Sequence, residues 1–338
     1  MALVSHIEAL IRERYLKGGK LQENLFKSVP ILDVMAKKTN ISGGEDLTQR
    51  IRYKDLAVGS VKGYNQLDTF PTQLGDFATK AQWKWKNIVA SIVMAGEDMR
   101  KANTQEDMIN FVDEHVNQAL LGAKAYLKNR LILSTGLLLD AKDPDGFALV
   151  FGDGVDPYGS ITAADFGGWL AQRHTAAINI AIPTNVNVTF LKARLIDDVV
   201  DKASPGTRPT VIATTRAIYN KLYEFALSKS SIVTYVPRTG KGKRLAELGY
   251  EVIELEGVPV IVDVEIPAGH AYSWSDECLW LQIHPKANFN TLPDGNGKMQ
   301  TLEKINRMDA YACDLVIMCQ LISPERRGLA VCTNIVTV

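Results

Sequence analysis

The sequence predicts an α+β fold, on three observations. Helical and strand-like patterns are mixed along the chain rather than alternating regularly. One long helical periodicity runs through Met108, Phe111, Val112, Val116, Ala119, Leu120, Ala123, Leu127 and Leu131. From Tyr250 onward the pattern is almost wholly that of strands separated by turns. With 338 residues, 46% hydrophobic and 22% charged, the chain has globular composition and enough apolar mass for a core. At about 150 residues per domain two domains are expected, and the lack of a Pro/Ser-rich linker predicts that they are interleaved.

The first element is an arm. Ser5-His-Ile-Glu8 forms a capping box, in which the Ser5 hydroxyl accepts from the third helical amide and Glu8 reaches back. A short helix follows on Ile7, Leu10 and Ile11 and stops at Gly18-Gly19. Residues 1–44 hold too few apolar side chains for a core of their own, so this arm needs a surface to lie on.

Residues 45–87 read as a long hairpin. Leu47, Gln49, Ile51 and Tyr53 alternate at one end and Trp83-Lys-Trp-Lys86 at the other, with polar Gly/Asp/Thr/Pro sequence between, including Tyr64. An isolated hairpin is marginal in water, so this excursion is expected to be mobile or to be pinned by a neighbouring chain. Trp83 and Trp85 share one side of their strand, which suits a packed face better than a base-stacking platform in a neutral chain.

Thr104 caps the predicted helix 104–135, with acids in its first turn where the dipole favours them. At 1.5 Å per residue this beam is roughly 48 Å long. A polar, Gly/Asp/Pro-rich connection spans 137–160. Further helices are predicted on Phe166, Trp169, Leu170 and Ala177, stopping before Pro183; on Leu191, Leu195 and Val199; and, capped by Thr214, on Ile218, Leu222 and Phe225. Val211-Ile-Ala213 reads as a buried strand after the Ser204-Pro-Gly206 turn. The strands of the last third are Tyr250–Leu255, Val258–Val264, His270–Trp274, Cys278–Ile283, Met308–Leu321 and Leu329–Val338, with a turn at Pro267-Ala-Gly269.

Charge and motifs exclude several functions. Lys+Arg and Asp+Glu both number 38, so no net field draws the chain to a phosphate backbone or an anionic bilayer. Arg238-Thr-Gly-Lys241-Gly-Lys243-Arg244 fails as a P-loop, because Pro237 stands at the first Gly and Arg244 at the Ser/Thr position; it reads as a basic loop tip. Asp143-Pro-Asp-Gly146 fails the calcium-loop template and reads as turn chemistry. Five scattered His residues have no metal-ligand spacing, and neither GxSxG nor GxGxxG occurs. No cofactor, metal or catalytic residue is expected. Cys278, Cys313, Cys319 and Cys332, without a CxxC pair, read as buried thiols in a reducing compartment, and no signal segment or membrane span is expected.

The order of elements resembles the major capsid proteins of tailed bacteriophages, a fold shared with herpesvirus shells and encapsulins. Tyr53–Tyr64 resembles the outgoing limb of their extended loop, and Ala81–Glu97 its return into the spine helix. Leu131–Gly136 resembles the end of that helix; Pro209–Arg216, Gly257–Asp263 and Pro267–Tyr272 carry the later likeness. The resemblance implies an N-terminal arm (1–44), an extended loop (45–87), a peripheral domain with the spine helix (88–185 and 276–338) and an axial domain (186–275). It implies a non-enzymatic subunit that forms hexamers and pentamers of an icosahedral shell around double-stranded DNA, in the virion, after assembly in the host cytoplasm. The DNA would be enclosed without sequence-specific binding.

A separate scaffolding protein and a portal are the implied partners, because the long scaffolding segment of many relatives is missing here. Covalent cross-linking is not predicted. The expected subunit contacts are Ile7, Leu10, Ile11, Ile51, Tyr53, Tyr64, Trp83, Trp85, Arg238, Lys241, Lys243 and Arg244. Two alternatives are an encapsulin-like compartment around cargo enzymes and, from another class, a cytoplasmic enzyme with a site assembled from Asp263, His270 and His284.

Overall fold

The computed structural model describes residues 30–39, 44, 46–52, 63–66, 78–101, 105–133, 142–229, 253–291 and 303–337. Two sheets organise them.

The first sheet is built around β13 (Ala310–Ile322). On one side β13 pairs antiparallel with β4 (Lys86–Ala95), from Ala310↔Ala95 to Cys319↔Lys86. On the other it pairs with β11 (Trp280–Thr291) and the short β12 (Glu303–Lys304). Beyond β11 lies β1 (Ala36–Lys38), added in parallel after the one-turn helix α1 (Pro30–Val34). The pleat sends alternate side chains to opposite faces. One face presents Ile92, Met94, Cys313 and Leu315 to Val112 and Val116 of helix α3 (Gln105–Leu133).

Helix α3 matches the predicted beam at 29 residues, about 44 Å at 1.5 Å per residue. Val112, Val116, Ala123, Leu127 and Leu131 are all buried along it, at the spacing an amphipathic helix uses. Thr104, its expected cap, lies outside the described residues. Within Ala81–Glu97, likened to the extended loop's return into this helix, stands the ten-residue β4, and the short α2 (Gly96–Lys101) follows it. The run Ile88-Val-Ala-Ser-Ile-Val-Met-Ala95 alternates buried and exposed positions, as a strand with one covered face does.

The second sheet has six strands in the order β5-β14-β10-β7-β9-β8. They are β5 (Gln172–His174), β14 (Leu329–Cys332), β10 (Ala271–Trp274), β7 (Val211–Thr214), β9 (Val258–Val262) and β8 (Ile253–Leu255). One face (Val211, Ala213, Ile261, Tyr272, Trp274, Val331) joins the main core around Phe147 and Phe151. The other (Ile212, Val260, Ala271, Cys332) is covered by a helical layer through Val188, Leu191, Leu195, Ile218, Tyr219 and Leu222. That layer comprises α5 (Asn185–Lys192), a π-helical turn (Ala193–Asp197), α6 (Asp198–Lys202) and α7 (Arg216–Lys229). At the π turn, where the ladder is wider, the Leu195 carbonyl accepts from Ser273 Oγ at 2.6 Å. A two-stranded pair of β6 (Ile178–Asn179) and β15 (Ile335–Val336) flanks this sheet. Because β5 and β14 belong to it, the expected boundary at 186–275 cuts through the sheet rather than around it.

Two further expectations are corrected. The helix read on Phe166–Ala177 is absent; turns and β5 stand there, because Gly167-Gly168 interrupts the pattern and the Gly168 carbonyl is needed by Arg327 Nε, 3.2 Å away. The Thr214 hydroxyl does not cap α7. Thr214 is the last residue of β7 and donates to the His270 carbonyl at 3.2 Å, while Tyr219 N bonds back to Thr215 O. The turn at Pro267–Gly269 forms as expected, with Gly269 at φ +72° and His270 N on the Pro267 carbonyl.

Candidate functional site

The excursion is anchored by its root. β2 (Asp46–Arg52) pairs antiparallel with β3 (Ala78–Lys84), placing Leu47 opposite Trp83 and Ile51 opposite Thr79. Leu47, Ile51, Ala81 and Trp83 are buried in the same core cluster as Phe147 and Trp274. Trp83 keeps only 2% of its surface. Trp85, also buried, sets its ring edge-on to His284 at 5.3 Å. The side chains of Ile51, Trp83 and Trp85, expected at subunit contacts, are therefore core residues of their own chain. Their apolar area is consumed within the protomer, which corrects the expectation that the whole excursion depends on a neighbour.

A tight turn grips this root. Tyr158 and Ile161 exchange both backbone hydrogen bonds, at 3.0 and 3.2 Å, around Gly159 and Ser160, each at φ +62°. Positive φ at both central residues is the requirement of a type I′ turn. Gly159 is needed for a second reason, since a Cβ there would sit 2.9 Å from the Trp83 ring. The turn then clasps β3: Gln82 N donates to Gly159 O at 3.0 Å, and Ser160 Oγ donates to Gln82 O at 3.3 Å.

Behind the turn stands a pinned aromatic stack. Tyr158 meets Trp83 edge-on at 5.6 Å and stacks on Trp169 at 6.2 Å. Its hydroxyl donates to Leu321 O on β13, and burial pushes the phenol well above its usual range. Arg326, 1% exposed, lies over both rings. Its guanidinium donates to the carbonyls of Val150, Trp169, Leu149 and Gly152 at 3.0–3.3 Å. Three of these belong to the one-turn helix α4 (Phe147–Val150) and its exit, where helix-terminal carbonyls lack an intrahelical partner; Leu149 O accepts from Gly152 N as well. Sequence reasoning missed this pin, because Arg326 stands in the charged turn Pro324-Glu-Arg-Arg-Gly328 and reads there as a solvated residue.

The far half of α3 is fastened by ion pairs. Lys128 Nζ lies 2.7 Å from Asp263 Oδ1 and Arg130 Nε 3.1 Å from Asp143 Oδ2, with both carboxylates buried. Tyr126 also donates to Asp143, at 2.6 Å. Asp143, read as turn composition, thus ties a connection to the long helix.

The other candidates are dispersed. Asp263 serves Lys128 and Glu265 N, His270 Nδ1 lies 2.9 Å from its neighbour's carbonyl Ala268 O, and His284 accepts from Lys286 N. The structure gives these three residues separate partners rather than a common site. Among the described residues no group of His, Cys, Asp or Glu could hold a metal, and no helix is long and apolar enough to cross a membrane. All four cysteines are buried and stand outside any disulfide, and burial pushes the Cys319 thiol up to about 12.

Exposed apolar positions mark a different kind of surface. Tyr64, in the excursion, is 66% exposed. Ile182, Val186 and Phe190 recur every four residues on the outer side of α5 and its approach, at 77%, 62% and 54%. Val89 and Val93 stand out from the uncovered face of β4. Ile7, Leu10, Ile11, Tyr53, Arg238, Lys241, Lys243 and Arg244 lie outside the described residues.

No family model matches the chain, and no curated protein matches its sequence. Its backbone is nonetheless similar over nearly its whole length to solved shell subunits. Against the capsid of cyanophage A-1(L) the TM-score is 0.64 at 16% identity, covering 92% of this chain and 93% of that one. Against the capsid of the native GTA particle it is 0.54 at 10% identity, covering 90% and 89%. Against the SrpI encapsulin of Synechococcus elongatus PCC 7942 it is 0.51 at 12% identity, covering 91% and 88%. The chain has the fold of tailed-phage capsid proteins, which encapsulins share.

Proposed function

We propose that this chain is the major capsid protein of a tailed bacteriophage, a structural subunit of an icosahedral shell that encloses double-stranded DNA. The observation that carries the reading is the likeness of fold to the cyanophage A-1(L) capsid over 92% of this chain and 93% of that one. A shell needs heterologous contacts that repeat around rings. The exposed Ile182–Val186–Phe190 stripe supplies apolar area for a second copy, and Tyr64 on the excursion is two-thirds exposed. The arm residues Ile7, Leu10 and Ile11, Tyr53 and the basic tip Arg238–Arg244 complete the proposed contacts. Residues 186–275 form the core of the axial domain in this reading, with α3 and the β13-centred sheet in the peripheral one.

Zero net charge suits an enclosure that releases its DNA, since each neutralised phosphate strengthens salt-sensitive binding. A scaffolding protein and a portal are the proposed partners, and assembly precedes the virion in the host cytoplasm. The encapsulin likeness sustains a second reading, a compartment for cargo proteins. Shells recovered from the native source separate the two: nuclease-protected double-stranded DNA is expected, and a protein cargo without DNA would overturn the phage reading.

A substitution tests the contact surface. I182S/V186S/F190S removes apolar area already exposed in the protomer, so its unfolding free energy stays within about 0.5 kcal/mol per site of the wild-type value. Light scattering is expected to show smaller or no particles; assembly at the wild-type level would exclude the stripe.

A further inference from the structure

The helical layer over the second sheet carries two exposed lines of side chains that do not cover each other. The run from α5 through the π turn to α6 lies over β14 and β10, whereas α7 packs on β9, three places along the sheet from β14. Along the first run stand Ile182, Val186 and Phe190, and near its end the exposed Asp201. The acids beside Asp201 are committed within the chain, Asp198 to His174 and Arg194 and Asp197 to Lys192. On α7, Arg216, Asn220, Tyr223 and Leu227 are all exposed. Their steps of four, three and four place them on a single helix face, opposite the buried Ile218 and Leu222.

The two lines are complementary in chemistry and in length. The first is apolar at its start and acidic at its end; the second is cationic at its start and apolar at its end. Phe190 and Asp201 are eleven residues apart, as are Arg216 and Leu227, about 16 Å of helix in each case. Laid antiparallel, they bring Phe190 onto Leu227 when Asp201 meets Arg216. The complementary surfaces are different parts of one chain, so their contact between copies is head-to-tail. Such a contact generates a ring wherever its rotation closes.

We infer that α7 of a second copy receives the α5–α6 line, Phe190 packing against Leu227 and Tyr223 and Asp201 pairing with Arg216. The inference rests on the shell reading and names the surface that receives the stripe.

Cross-linking of the full-length protein tests it. F190C/L227C is assembled, oxidised with copper phenanthroline and run without reductant. The four native cysteines are buried, so the introduced pair is the reactive one. The expected result is a ladder of covalent oligomers reaching five and six chains, with F190C and L227C alone remaining monomers on the gel. A charge swap tests the pairing without cysteines. D201R and R216D each raise the concentration needed for assembly by about fivefold, and D201R/R216D restores the wild-type value. Both changes suit their own helix dipole, so the protomer keeps its fold. Particles that give no ladder, a product that stops at two chains, cross-linking by either single variant, or a double swap no better than the singles overturns the inference and leaves the shell reading standing. A wild-type protein that never assembles overturns both.

Discussion

Replacing Trp83 by alanine is expected to lower stability by about 3–5 kcal/mol, the range for deleting a buried indole from a core. Trp83 sits between Leu47 on the paired strand, the Gly159 backbone and the edge of Tyr158. Its neighbours cannot close the gap, because Gly159 and Ser160 are committed to a two-residue turn at positive φ and Tyr158 is tied to Leu321 O. The loss is therefore expected in two readouts: a lowered unfolding midpoint, and new proteolytic cleavage at the root in β2 and β3. W83F, which retains a ring against Tyr158, falls between the two. An unchanged midpoint in W83A would place the indole outside the core and detach the excursion from the protomer.

R326M is the second large effect. Methionine fills the space between Tyr158 and Trp169 but donates nothing, so carbonyls of Leu149, Val150, Gly152 and Trp169 lose a buried donor at once. Each buried polar group left unsatisfied costs about 1–3 kcal/mol; allowing for partial access of water, a loss of at least about 3 kcal/mol is expected. R326K recovers little, because three donors on a tetrahedral ammonium cannot reproduce a planar fork. Circular dichroism melting of both variants checks the ordering, wild type well above R326K and R326K near R326M. A lysine variant as stable as wild type would contradict the role assigned to the fork.

The elements legible in the sequence were those with long, one-sided periodicity. Helix α3 declared itself through nine apolar positions, and the strands of the last third through β-branched runs between turns. The short elements failed for a local reason. Phe166, Trp169 and Leu170 have helical spacing, but Gly167-Gly168, the demands of Arg326 and Arg327 on that backbone, and the Trp169 indole donating to Tyr158 O win. Strand β4 was hidden because its apolar run also suits a buried helix entry, and only pairing with β13 over ten residues decides between them.

At the candidate site the shared face of Trp83 and Trp85 was legible, but its partner was not. The ring that receives Trp83 comes from a type I′ turn of sequence Tyr-Gly-Ser-Ile, 75 positions from Trp83 to Tyr158. Ion pairs such as Lys128–Asp263 join residues still more remote in sequence, and no periodicity announces them. The exposed α5 stripe went unread, because the helix there was marked by its buried side, Leu191, Leu195 and Val199, and spacing alone does not show which apolar positions stay uncovered.

The central claim, that the chain is built to assemble with copies of itself, is tested most directly by imaging the purified full-length protein by electron microscopy across a concentration series. Closed shells, or rings of five and six subunits that grow with concentration, are the predicted result. A folded population that stays monomeric at every concentration, with and without a scaffold, would contradict the account.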